Sequence, residues 1–231
     1  NGCCKDNDNP RVGKSTAVFN PNLSYDSITD IDGNVYKTIT IGTQTWMAEN
    51  LRVTHYRNCD PIPNVKDAAE WENLTTGACC SYNNTKDVDT IATYGLLYNG
   101  RAATDSRGLA PDGWHVPTDA EWETLGKYLC GGDSTLAVAT SGGMLKEIGT
   151  THWAYPNRFA DNSSGFTAQP NGFRDTYKGV FISKGFDGFY WTSTEYYPKF
   201  LLERAMSTDF ASIIRGGLYC NSGISVRCIK D

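Results

Sequence analysis

Basic charge is in short supply in this chain. Lys and Arg total 21 against 26 Asp and Glu, which leaves a net charge of −5 and a pI of about 5.2. No positive field exists to draw in nucleic acid or anionic lipid, so nucleic acid is excluded as a partner class. Long apolar runs are also missing: none reaches the ~18 residues that a membrane span needs. There is no Cys-x-x-Cys pair, and His55, His115 and His152 do not fall at zinc-ligand spacing, which argues against a structural zinc. What remains is rich in Gly (23), Tyr (13) and Trp (6), with modest Leu and Ile. Such a composition predicts a loop-rich protein held by aromatic anchors, and it suits a binding surface. At 231 residues the chain is long enough for a sizeable core.

The cysteines are scattered: Cys3, Cys4, Cys59, Cys79, Cys80, Cys130, Cys220 and Cys228. In a chain rich in Asn, Thr and Tyr this fits an exported protein with one or two disulfides, whose pairing the spacing leaves open. The first residues, Asn1-Gly-Cys-Cys-Lys-Asp-Asn-Asp8, resemble the mature start of a bacterial lipoprotein. Cys3 (or Cys4) would carry the lipid. The acidic stretch after it resembles the tag that sends such proteins to the cell surface in Bacteroidetes-type bacteria. The expected location is the outer membrane surface, with a lipid anchor as the only membrane contact. Residues 1–24 are polar and read as a tether, leaving residues 25–231 as one domain.

Along that domain, odd-numbered Val35, Lys37, Ile39 and Ile41 alternate with even-numbered Tyr36, Thr38 and Thr40, the period-two pattern of a strand. Asp32-Gly33 and Gly42 are its turn residues, predicting hairpins. Residues 66–74 predict a short helix with Ala69, Trp71 and Leu74 as core contacts, 81–90 a polar loop, and 91–103 a strand passing into a turn and short helix. The stretch "APDGWHVPTDAEWETL" (110–125) is the most legible. Thr118 and Glu121 form a capping box, and Trp122, Leu125 and Leu129 make one apolar face over 118–129. Pro117 blocks extension towards the N-terminus. His115, a lone histidine in an alternating apolar run, is expected to be buried and hydrogen-bonded rather than catalytic or metal-binding. From 131 onward Gly and Ser predict short elements and long loops. Phe189, Tyr190 and Trp191 predict a buried strand, and 225–231 a closing one.

Taken together, "DIDGNVYKTITIG", "WMAENLR", "LTTGACCSYNN", "YGLLYN", "APDGWHVPTDAEW", "GMLKE", "SSGFTAQPNGFRD", "YWTSTE" and "SVRCIKD" resemble the Fibrobacter succinogenes major paralogous domain, in family order across 28–231. That family is similar to the formylglycine-generating, sulfatase-modifying domain, whose "LPT-x-AEWE" box matches "VPTDAEWE" here. The resemblance implies an α+β, C-type-lectin-like fold with short twisted antiparallel strands, two main helices, long loops, and both chain ends in one sheet. A cysteine in the family's "TGAYCYYNN"-like segment recurs with the terminal one. This matches Cys80 and Cys228 and implies a disulfide between them. The copper chemistry of the sulfatase-modifying enzymes does not carry over, because only Cys220 and Cys228 lie in the C-terminal half and their context differs.

The expected function is that of a surface-exposed, non-catalytic binding protein or adhesin, recognising an extracellular protein or glycan through its C-terminal loops. The alternatives are an assembly module of a surface fibre or, with less support, a sulfatase-modifying-type oxidase. Some members of the family resemble variable proteins of diversity-generating retroelements. Residues 208–226 fit that pattern in containing no Lys, Glu, Gln, Met or Trp. The expected binding face is 196–222. Tyr196, Tyr197 and Phe200 would serve as aromatic platforms, and Arg204, Asp209, Arg215, Tyr219 and Asn221 as polar contacts, while Leu201 and Phe210 are expected in the core. No cofactor is required. Calcium is compatible with the oxygen-rich pairs Asp87/Asp89 and Asp161/Asn162.

Overall fold

Turn chemistry sets the first sheet. In a computed structural model describing residues 13–231, Asp30 organises the turn between β1 (Asp26–Thr29) and β2 (Val35–Ile41). Its Oδ1 accepts from the backbone N–H of Asp32 and Asn34 at 3.0 and 2.9 Å, while Oδ2 accepts from the Tyr36 hydroxyl at 2.6 Å. Gly33 takes φ +85°, a conformation other residues rarely adopt. A second hairpin through Gly42 leads to β3 (Gln44–Met47). The strand forms as expected, but its buried positions change parity at Ile39: Tyr36 and Thr38 are buried and Val35 is exposed, and beyond them Ile39 and Ile41 are buried.

This sheet continues through the last strand, β13 (Ile229–Lys230), to β6 (Trp114–His115), in the order β1-β2-β3-β13-β6. Strands from both ends of the chain therefore share it. A second sheet runs β4 (Cys79–Cys80), β5 (Leu97–Asn99), β12 (Gly223–Ile224), β7 (Phe173–Arg174) and β8 (Phe181–Ile182). A third is an antiparallel trio with β10 (Phe200–Ser207) between β9 (Asp187–Tyr197) and β11 (Ile214–Tyr219). With its helices, the molecule is α+β.

The helices are α1 (Ala68–Glu72), α2 (Val88–Tyr94), α3 (Gly100–Ala103), α4 (Asp119–Leu129) and α5 (Ser134–Leu145). The expected capping box on α4 is present. Glu121 N–H donates to Thr118 Oγ1 at 3.3 Å, and Thr118 N–H to Glu121 Oε2 at 2.7 Å. Within α1, Trp71 is buried, but Ala69 is exposed and Leu74 half-buried. Two helices depart from the sequence reading. The segment 88–94 is helical because Asp87 caps it, and 134–145 is a full α-helix capped by Asp133. The glycines of α5 act as close-approach points rather than breakers. A Cβ on Gly142 would lie 2.3 Å from Ser212 O, and one on Gly143 2.5 Å from Phe159 O. No helix among the described residues is long and apolar enough to cross a membrane.

Aromatics fill the core as the composition predicts. Trp46, Trp122, Phe166 and Tyr190 pack with ring centroids 4.9 to 6.2 Å apart. A larger cluster holds Tyr36, Trp114, Trp191, Val226 and Cys228. The packed body begins ahead of residue 25. Phe19 and Leu23 lie against the Trp46–Trp122 cluster, and Val18 N–H donates to the buried carboxylate of Glu147. The part of the expected tether spanning 13–24 is therefore a strap laid on the domain. Cys3, the expected lipid site, and its neighbour Cys4 lie outside the described residues.

His115 is hydrogen-bonded as expected but is not buried. Its ring lies between two carboxylates, with Nδ1 2.6 Å from Asp231 Oδ1 and Nε2 2.8 Å from Glu121 Oε1. Partial burial disfavours the charged ring, but the two hydrogen bonds outweigh it and hold the pKa above the usual histidine value. The imidazolium thus ties Asp231 to the start of α4. This stabilisation is complete below the unfolded pKa of about 6.5 and is lost as pH rises through the raised folded value. His115→Ala is expected to remove that part of the stability–pH curve. The loss should be under about 1 kcal/mol, since the side chain is 37% exposed and solvent screens the pair. Equilibrium denaturation of both proteins between pH 5 and about 8.5 measures it.

Candidate functional site

The inner half of β9 is core and the outer half is surface: Tyr190, Trp191 and Thr192 are buried, while Glu195, Tyr196 and Tyr197 are exposed. The β9–β10 hairpin thus projects out of the interior and reverses through Pro198-Lys199. Lys199 sits at φ +70°, where glycine or asparagine is the cheaper residue. Four of the expected contact residues meet at this tip. Tyr196 and Tyr197 hold their rings 4.2 Å apart. Phe200 lies opposite both Tyr197 and Tyr219 in the sheet, with its ring 5.4 Å from that of Tyr219. Gly217 leaves room for the Tyr196 ring, because a Cβ there would come within 2.7 Å of it.

The remaining four expected contacts are elsewhere. Arg204 is buried under the sheet, where Nη2 meets Asp119 Oδ1 at 2.6 Å. Arg215 reaches the same carboxylate from the surface, Nε to Oδ2 at 2.9 Å, with 46% of its side chain exposed. Asp119 opens α4, where the helix dipole also favours its negative charge. Arg204 is a tie between sheet and helix, not a contact residue. Asn221 is likewise interior: it is 3% exposed, and its amide donates to Glu72 O and Leu74 O. Asp209 is exposed beyond the opposite end of β10, away from the tip. Leu201 is core as expected, but Phe210 is 57% exposed. The loop that carries Phe210 is instead fixed through its backbone carbonyl, which accepts from the buried Lys146 Nζ at 2.9 Å.

Beside the hairpin opens a cleft of about 590 Å³, within the range of small-ligand sites. One wall comes from 75–77, another from α3 and the turn after it, and the third from the hairpin with Cys220. Arg101 projects from α3 with Nε donating to Asn221 Oδ1 at 3.1 Å. Arg107 forms a fork with Asp105, both contacts at 2.9 Å, and reaches Asp60 at 3.1 Å. That fork holds the Asp105 carboxyl below the usual range. Burial pushes the Cys220 thiol up, against the influence of Arg101, so the thiol is not an activated nucleophile. The contributions of Thr75, Arg101, Ser193 and Glu195 were not read from the sequence. They come from segments that only the fold brings together.

Cys80 and Cys228 are free and buried, so the disulfide implied by resemblance is not formed. Cys80 packs in a satellite cluster with Val65, Trp71 and Leu97, and Cys228 in the main cluster with Cys79. Burial raises all three thiols. The oxygen-rich pairs are engaged locally. Asp87 caps α2, Asp89 accepts from Lys14 N–H, and Asp161 accepts from Ser163 N–H. The Asn162 amide donates to Thr167 Oγ1. Among the described residues no group of three or more His, Cys, Asp or Glu is placed to hold a metal ion.

Neither a curated protein nor a solved structure matches the chain. One domain family does, the Fibrobacter succinogenes major domain, whose family model covers residues 39–230. With almost all of the folded body matched, the chain belongs to that family.

Proposed function

We propose that this protein is a non-catalytic binding protein or adhesin of the cell surface, taking an extracellular protein or glycan on the face made by the β9–β10 tip and the adjoining cleft. The observation that carries this reading is the exposed Tyr196–Tyr197 pair at the end of a buried strand, beside a cleft lined with hydroxyls and charged groups. Rigid aromatics over a polar concavity bind at low entropic cost. A C-type-lectin-like arrangement is part of the proposal, supported by the first and last strands sharing one sheet. Anchoring through a lipid on Cys3 is part of it as well, and no cofactor enters. The alternative oxidase chemistry has little support, because Cys228 is fully buried with its thiol held protonated.

Retroelement diversification of 208–226 would act mainly on Asp209, Phe210, Ile214, Arg215 and Gly217, which are exposed. Ile213, Asn221, Ile224 and Val226 are buried, and packing would constrain them.

The full chain and a Tyr196→Ala/Tyr197→Ala double variant, probed on glycan and protein arrays, test the reading. The variant is expected to keep its melting temperature within ~2 °C, as surface changes do, and to lose about tenfold or more in affinity. Equal binding by the two proteins would sink it.

A further inference from the structure

The charges in the cleft are not all spent. Arg107 is consumed by Asp105 and Asp60. Arg101 is held by one bond only, Nε to Asn221 Oδ1, and Asn221 is itself fixed by two backbone carbonyls. The guanidinium is therefore aimed, while among the described residues neither of its Nη groups has a hydrogen-bond partner. Among the same residues Lys199 forms no ion pair, and its backbone adopts an unfavourable positive φ at the turn over the cleft. Strain of this kind persists where surrounding structure enforces it and is found disproportionately at ligand sites. Here the backbone is enforced from outside the turn, since Cys220 N–H donates to Lys199 O at 2.8 Å. Among the described residues Glu195 has no side-chain hydrogen-bond partner, and it lines the same cleft as Thr75 and Ser193.

An aimed guanidinium, a second cation on the turn, one carboxylate and several hydroxyls define a ligand that carries an acid and many hydroxyl groups. We propose that the cleft binds a carboxylated saccharide unit. Its carboxylate sits against Arg101 and Lys199, and its hydroxyls bond to Glu195, Thr75 and Ser193. Charge-assisted bonds to the carboxylate fix the orientation, because the guanidinium fork matches a carboxylate plane. The Tyr196–Tyr197 pair lies on the adjoining tip and takes the next sugar ring. A free acidic side chain lacks the hydroxyls that this lining is built to satisfy, and a neutral sugar leaves two cations unpaired. The inference rests on the reading that this face binds ligand, and it names the ligand's class.

Lys199→Gly is the decisive variant. It removes the cation and relieves the positive φ, so the fold should be as stable as before or more so. Titration calorimetry of the full chain is run with a glucuronate-terminated disaccharide, the matching glucose-terminated disaccharide, and an acidic peptide. The expected result is that the glucuronate sugar binds at least about tenfold more tightly than either other probe, and that Lys199→Gly removes about tenfold of that affinity, the size of one charge-assisted bond. Arg101→Met, if it folds, is expected to do the same. Equal binding of the neutral sugar, preferential binding of the peptide, no saccharide binding, or full retention in Lys199→Gly overturns the inference. If the arrays show binding that depends on Tyr196 and Tyr197 but not on Lys199, the inference falls while the broader function stands.

Discussion

Arg227→Met is expected to cost about 5 kcal/mol or more of folding stability, enough to unfold many domains of this size. Arg227 is 0% exposed and, among the described residues, forms no ion pair. Its charge is met by dipoles: Nε donates to Asn50 Oδ1 at 2.5 Å, Nη2 to Thr167 O at 2.8 Å, and Nη1 to Phe166 O and Met47 O. The guanidinium also lies over the Phe166 ring at 4.6 Å and near that of Tyr190 at 5.7 Å. Burial lowers its pKa, yet it remains a cation at neutral pH. Methionine would fill similar volume but strip its donor from Asn50 Oδ1, Phe166 O and Met47 O, at about 1–3 kcal/mol for each buried acceptor left unpaired, and leave Thr167 O with only the longer 3.4 Å bond from Gln169 Nε2. Lysine would keep the charge without the planar fork, so Arg227→Lys should also be strongly destabilising. Urea denaturation of the three proteins measures both. A midpoint for Arg227→Met equivalent to within ~1 kcal/mol of the parent would refute the assignment.

Arg174 repeats this device in the second sheet. Fully buried, it donates to the carbonyls of Gly179, Val65, Lys66 and Asp67 and lies 4.3 Å over Trp71. A fold with many short strands leaves carbonyls that no ladder satisfies, and two buried arginines donate to seven backbone carbonyls between 47 and 179, two of which, Asp67 O and Thr167 O, also accept from Trp71 N–H and Gln169 Nε2. This explains how so loop-rich a chain closes a core without regular structure throughout.

The sequence made the capping box of α4, the early hairpins and the buried Tyr190-Trp191 strand legible, since each is a local pattern. It hid α5, because Gly142 and Gly143 resemble breakers until the backbones of Ser212 and Phe159 are placed against them. The site was half legible. Tyr196, Tyr197, Phe200 and Tyr219, all read from the sequence as contact residues, meet at one tip. Arg204 and Asn221, judged exposed from their polarity, are interior ties to Asp119 and α1. Both faces of β10 are covered, so polarity along it does not report exposure. The cleft was invisible because Arg101 and Asn221 are 120 positions apart.

Glu203 in β10 gives the second large expected effect, one of pH. It is 5% exposed, lies opposite Gly216 and Trp191 in the sheet, and among the described residues its Oε2 has no hydrogen-bond partner. A Cβ on Gly216 would come within 2.3 Å of Oε1, so the carboxyl fits only because that neighbour is glycine. Burial pushes its pKa up to about 8, with the adjacent Arg204 opposing only part of the shift. The folded protein therefore holds a proton that the unfolded chain releases near pH 4.5. Stability should be greatest below that value, fall as pH rises from there towards 8, and level off above it. Glu203→Gln keeps the shape and cannot ionise, so its stability should lack this decline and exceed the parent's above pH 8 by on the order of 5 kcal/mol. Near pH 4 the two should be similar. Because β10 carries the hairpin whose tip forms the candidate site, the parent's ligand affinity should weaken over the same interval and the variant's should not. Parallel stability–pH curves for the two proteins would show that the buried carboxyl is already ionised at neutral pH.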